Sequence, residues 1–126
     1  MKYFPVCKCA DKELAVPSEW RPVFTRIVED FKDGNFKIEQ ASSNVKPLTC
    51  QDAKRIAHNI AEFGNNLCSL PEESWDTSVY RWMEGYWEVL VDLFTIQEGQ
   101  SDLVLFARVF ERGGSHEFQV ESVHVP

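Results

Sequence analysis

The hydrophobic period of this chain changes once along its length, and that change decides what it can fold into. As far as Gly64 the apolar residues recur at helical spacing, and from Ser78 onward they alternate. Trp20, Val23, Phe24, Ile27, Val28 and Phe31 form one stripe of a helix expected over Glu19 to Lys32. Ser18 is placed to cap its start, Pro22 falls in the first turn, and Gly34 supplies a left-handed stop. Phe36 to Gln40 alternates briefly and reads as a short strand or an extended loop. Thr49-Cys50-Gln51-Asp52 is a shortened capping box that opens a second helix. Its buried stripe is Ala53, Ile56, Ala57, Ile60, Ala61 and Phe63, and Gly64 ends it.

After a connector carrying Leu67, Leu70, Pro71 and Trp75, four strands are expected: Ser78 to Trp82, Tyr86 to Thr95, Asp102 to Glu111 and Glu117 to Val125. Short glycine-bearing turns at Gly85, Gly99 and Gly113-Gly114 join them, so successive strands pair antiparallel. The expected architecture is α+β: two N-terminal helices packed on one face of a four-stranded antiparallel meander sheet. It forms a single domain over residues 1–126, with a helical half over about 17–64 and a sheet half over about 78–125. With 44% hydrophobic residues in 126, there is material for a core without a disulfide or metal.

Parity assigns the strand faces. Trp87, Val89, Val91 and Leu93 share one, with Leu103, Leu105, Ala107 and Val109 and then Phe118 and Val120. The alternate positions are mixed rather than polar: Glu88, Leu90, Asp92 and Phe94, then Val104, Phe106, Arg108 and Phe110, then Gln119, Glu121, Val123 and Val125. A sheet with one wet side carries polar residues there, so this second face has more apolar surface than solvation requires.

Charge and motifs narrow the function classes. The net charge of −7 repels phosphate backbones, which argues against nucleic acid and favours a basic partner if the partner is charged. The opening Met1-Lys2-Tyr3-Phe4-Pro5-Val6 is too short and too broken for an export signal, and no run reaches the ~20 apolar residues that span a bilayer. A cytoplasmic location follows as an expectation. In a reducing compartment Cys7, Cys9, Cys50 and Cys68 are expected to be free thiols. Their spacing lacks a second metal-ligating pair, so no metal and no cofactor is expected.

His58, His116 and His124 stand near no recognisable nucleophile motif. Glu88, Asp92 and Asp102 lie on adjacent strands, with Asp76 preceding them, and they carry the alternative reading of a metal-dependent hydrolase. Gly113-Gly114 has no phosphate-loop sequel. The aromatics Trp75, Tyr80, Trp82, Tyr86 and Trp87 crowd the start of the sheet among acidic residues, with Arg81 the only nearby cation. That surrounding suits protein contact better than single-stranded nucleic acid.

The stretch Leu70-Pro71-Glu72-Glu73-Ser74-Trp75-Asp76-Thr77-Ser78-Val79, followed by Trp87 to Leu93 and Glu98 to Leu105, resembles a small bacterial domain family of unknown function. The resemblance covers the second half of the chain and brings no activity with it. Size, acidity and α+β make-up are also similar to immunity proteins that neutralise bacterial toxins. The reading is a non-catalytic protein-binding domain, an immunity-type inhibitor or a small regulator. Its partner is another protein, or a second copy in a homodimer. The binding residues expected are Trp75, Tyr80, Trp82, Tyr86, Leu90, Phe94, Phe106 and Phe110.

Overall fold

The computed structural model describes residues 6–126, so the opening Met1 to Pro5 lies outside the described residues. Helix α1 spans Arg21–Lys32 and α2 spans Cys50–Phe63. A short 3₁₀ helix follows at Glu72–Asp76. The strands are β1 (Leu14–Ala15), β2 (Val79–Trp82), β3 (Trp87–Thr95), β4 (Gly99–Arg112) and β5 (Ser115–His124). They form one antiparallel sheet in the order β1-β2-β3-β4-β5.

The sheet has five strands rather than the four expected. The additional strand is β1, whose Leu14 and Ala15 pair with Tyr80 and Val79. Two residues carry no readable period. Their conformation comes from the edge of β2 that they complete, which is a tertiary cause.

Local signals explain both helices. Pro22 sits in the first turn of α1, where its missing N–H costs nothing. Ser18 does not cap with its side chain; its carbonyl accepts from Arg21 N at 3.3 Å, and Trp20 occupies the cap position. Trp20 is there because its ring is in the core, which outweighs the preference for a capping oxygen. In α2 the Thr49 hydroxyl accepts from Asp52 N at 3.1 Å, a contact worth about 1 kcal/mol. Gly64 ends α2 at φ 85, a left-handed conformation that costs a Cβ-bearing residue energy.

One cluster of buried side chains forms the core. It joins Phe24, Ile27, Val28 and Phe31 of α1 and Ile56 and Ile60 of α2 to the inward residues of β3, β4 and β5. Trp20 lies at its centre, with ring centroids 5.6 Å from Tyr80, 5.5 Å from Trp87 and 5.9 Å from Phe118 in edge-to-face contacts. Phe24 meets Phe118 at 5.6 Å. The expected stripe of α2 is narrower than its alanines implied: Ala57 and Phe63 are half-buried and Ala61 is exposed.

The outer edge of β5 is consumed by the chain itself. Phe118 N donates to Asn44 O and Lys46 N donates to Phe118 O, both at 2.9 Å, while Asn44 Nδ2 donates to His116 O at 3.2 Å. Further along, Arg55 Nη2 reaches Glu121 O at 2.9 Å and Asn59 Nδ2 reaches Val123 O at 3.1 Å, both from α2. A register shift between Phe106 and Ala107 leaves Glu121 without a partner on β4. Edge carbonyls left open would template pairing with another strand, and here they are occupied. Any association through the sheet must therefore use a face rather than this edge.

Candidate functional site

The outward face of β2–β5 is laid out in rows by the strand register. One row is Val79, Leu90, Phe106 and Ser122. The next is Arg81, Glu88, Arg108 and Gln119. Beyond it Phe110 faces Glu117, with Tyr86 against Phe110 at 5.6 Å. At the other end Asp92 faces Val104, which faces His124.

Contacts within the face are between side chains of the strands. His124 stacks on Phe106 with centroids 4.4 Å apart and planes 10° apart, and its Nδ1 lies 2.8 Å from Ser122 Oγ. The Arg108 guanidinium sits 4.8 Å over Tyr86 and its Nε is 3.8 Å from Glu121 Oε1. Arg112 lies 4.8 Å over Phe110 and pairs with Glu117 at 3.3 Å. Tyr86, Leu90, Phe106 and Phe110 are half-buried, so each retains accessible ring or methyl surface. Phe94 and Val104 are buried but stand outside the main core cluster.

Of the eight residues expected to bind a partner, Tyr86, Leu90, Phe106 and Phe110 come together on this face. Trp75 and Tyr80 do not: they are buried, 5% and 6% exposed, in the main core. Trp82 pairs with Trp87, 4.9 Å away between rings, and packs partly buried against that core. Strand parity accounts for this, since Tyr80 pairs with inward Val89 and Trp82 with inward Trp87. Phe94 is 8% exposed and offers little surface.

The carboxylates expected for a hydrolase do not assemble. Asp92 Oδ2 accepts from the Thr77 hydroxyl at 2.5 Å. Its backbone is clamped from the 3₁₀ helix side, with Ser74 Oγ donating to Asp92 O at 2.7 Å and Asp92 N donating to Ser78 Oγ at 2.9 Å. Glu88 stands between Arg81 and Arg108 in the strand register. Among the described residues no group of three or more His, Cys, Asp and Glu side chains is placed to hold a metal ion. His58 pairs with Glu62 on α2 at 3.2 Å. His116 lies edge-on to Trp20 and Trp87 at 5.4 and 5.6 Å, and burial lowers its pKa from 6.5.

The cysteines depart from expectation in one pair. Cys7 and Cys9 are joined by a disulfide, not free, with Cα atoms 5.6 Å apart. That spacing lies in the ordinary range for a bridge, and one intervening residue lets the chain turn back on itself. Cys7 O also accepts from Trp87 Nε1 at 2.9 Å, which holds this segment against the inward face. Cys50 and Cys68 are free as expected. Cys50 is exposed at the start of α2, and the Lys37 ammonium beside it lowers its thiol pKa.

A cleft of about 450 Å³ between α1 and the loop after it had no sequence signal. Arg26 there is occupied by Asp30 at 3.3 Å and Gln40 O at 3.2 Å. Ile38, in the segment expected as a strand or extended loop, is buried at φ 49, a conformation no alternation rule anticipates for a β-branched residue. Among the described residues, no helix is long and apolar enough to cross a membrane.

Residues 28–126 match the family model described as a Domain of unknown function (DUF7668), and the chain belongs to that family. The stretches from Leu70 to Val79, Trp87 to Leu93 and Glu98 to Leu105, which carry the resemblance, all fall inside the match. No curated protein and no solved structure matches the chain.

Proposed function

We propose that this member of the DUF7668 family is a protein-binding domain whose docking surface is the outward face of β2–β5. The observation that carries the reading is two apolar pairs, Leu90 with Phe106 and Tyr86 with Phe110, half-buried on either side of Glu88 and Arg108 on the face that the main core does not use. Apolar surface grouped among polar residues marks an interaction site more often than single scattered residues do. Arginine and tyrosine, both present on this face, are favoured where interfaces concentrate their binding energy. The reading takes both helices to lie against the opposite face. Phe24 of α1 meeting Phe118, and Asn59 of α2 reaching Val123, support that arrangement.

The test is site-specific photo-crosslinking in cells. A photoreactive residue in place of Leu90 yields one discrete protein adduct, and the same residue in place of Lys54, exposed on α2, does not. Absence of any discrete adduct from Leu90 removes the proposal.

A further inference from the structure

We infer that the Cys7–Cys9 pair is a site of thiol–disulfide exchange, at which a low-molecular-weight thiol reversibly reduces the bridge while the fold stays in place. The docking reading plays no part in it. The first observation is what the bridge fails to join. Cys7 and Cys9 are two positions apart, with Lys8 alone between them. A disulfide stabilises a fold mainly by restricting the unfolded chain, and the restriction grows with the length of the closed loop. A loop with one intervening residue restricts little, and this one ties together no two helices or strands. A structural staple is therefore a poor account of it.

The second observation is access. Both cysteines are half-buried rather than sealed, and Lys8 is exposed, in a segment that is neither helix nor strand. Exchange needs a bridge sulfur that a thiolate can reach, and exposed bridges are the labile ones. The third is that the hold of this segment on the sheet does not run through sulfur. Trp87 Nε1 donates to Cys7 O at 2.9 Å, and the Tyr80 hydroxyl hydrogen-bonds with the Cys7 backbone. Lys8 Nζ pairs with Glu111 at 2.9 Å and lies 5.0 Å from the centre of the Trp82 ring. Lys12 N donates to Cys9 O at 3.3 Å. These contacts use backbone groups or the Lys8 side chain, so they persist when the S–S bond opens. Two thiols kept together in this way reclose faster than two that must find one another.

The exchange balances in two steps. A small-molecule thiolate attacks one bridge sulfur and forms a new S–S bond to it. The Cys7–Cys9 bond breaks, and the other cysteine leaves as a thiolate that takes up a proton. A second small thiolate then attacks the small-molecule sulfur of the mixed disulfide and releases the remaining cysteine, which is protonated in turn. The chain gains two electrons and two protons, and two small thiols become one small disulfide. Reoxidation runs the same steps backwards, with the neighbouring cysteine displacing the small thiol from the mixed disulfide.

Glutathione is the probe. The folded full chain is equilibrated without air in buffers running from fully oxidised to fully reduced glutathione, quenched in acid, alkylated and digested. Mass spectrometry then counts labels on the peptide that holds Cys7 and Cys9. That peptide should pass from no label to two as the reduced share rises, and return to none when oxidised glutathione is added back. Circular dichroism should stay the same throughout. Cys50, exposed and free, takes label in the reduced buffer and shows that alkylation is complete. Cys7→Ser and Cys9→Ser each leave a mixed disulfide that no neighbour can resolve, so each should accumulate at least about ten times the parent's glutathione adduct on this peptide in the oxidised buffer. A bridge that stays closed at every ratio until the chain is unfolded in urea overturns the inference. So do a bridge that never forms in the oxidised buffer, a sheet that melts on reduction, and single variants that carry no more adduct than the parent.

Discussion

The two faces of the sheet share every backbone atom and still meet opposite fates. On the inward side Trp87, Val89, Val91, Leu93, Leu105 and Val109 have no measurable exposure. One residue away on the same strands, Glu88, Leu90, Phe106 and Phe110 keep part of their surface in water, and Arg108 is exposed. Apolar content alone does not separate them, since Leu90 is as hydrophobic as Leu93. What separates them is what lies opposite. Inward residues meet Trp20, Phe24 and the rest of a shared cluster, while outward ones meet the flanks of their own strand neighbours. Burial is a property of the partner surface as much as of the residue, and the predictions below are designed to break or sharpen that contrast.

The largest effect belongs to the inward side. Trp20→Ala removes a ring that is 2% exposed and touches Tyr80, Trp87 and Phe118. It should cost about 3–5 kcal/mol in denaturant unfolding. A loss under about 1 kcal/mol means that the core does not centre on this residue. Phe106→Ala, on the outward side, deletes a half-buried ring stacked on His124 and should cost about 1 kcal/mol in the same experiment. Equal losses at the two positions erase the distinction between the faces.

Much of this contrast is legible in the residues themselves. Alternation from Trp87 to Leu93 and from Leu103 to Val109 names the inward set correctly, whereas on β5 the register shift beside Glu121 turns Val123, expected on the second face, into the core. The same parity, applied to β2, places Tyr80 and Trp82 inward; reading those aromatics as a cluster by proximity in sequence obscures it. Other features have only tertiary causes. The pairing of Leu14 and Ala15 depends on the edge of β2 lying beside them. The link from Trp87 Nε1 to Cys7 O joins positions far apart in the chain, which no local pattern encodes. The alternating charges of the outward face become visible only once the register sets Arg81, Glu88 and Arg108 side by side.

Histidine gives a smaller, pH-conditional effect on the inward side. Burial beside Trp20 and Trp87 lowers the pKa of His116 below its ordinary 6.5, with partial relief from Glu111 and Glu19. The unfolded chain then binds a proton at a pH where the folded one does not. The stability this site confers is complete above 6.5 and declines as pH falls through that value towards the folded pKa. His116→Gln removes the group, so stability measured from neutral pH down to mildly acidic pH should decline less in the variant than in the parent. Parallel curves contradict the burial of this imidazole.

The smallest effect tests whether outward charges hold the fold or await a partner. Arg108 and Glu121 approach to 3.8 Å with side chains 46% and 39% exposed, so water screens their attraction. An exposed pair of this kind contributes about 0–1 kcal/mol, and Glu121→Gln keeps the size of the side chain while removing its charge. Unfolding of the dilute, monomeric chain should therefore shift by no more than about 0.5 kcal/mol. The charge matters more where a second surface excludes water. On the docking face proposed above, the same substitution should weaken partner binding more than it weakens folding. Were Glu121→Gln to unfold the monomer by several kcal/mol, the outward row would be part of the structural core in all but position. The contrast between the faces would then lie in exposure alone and not in role.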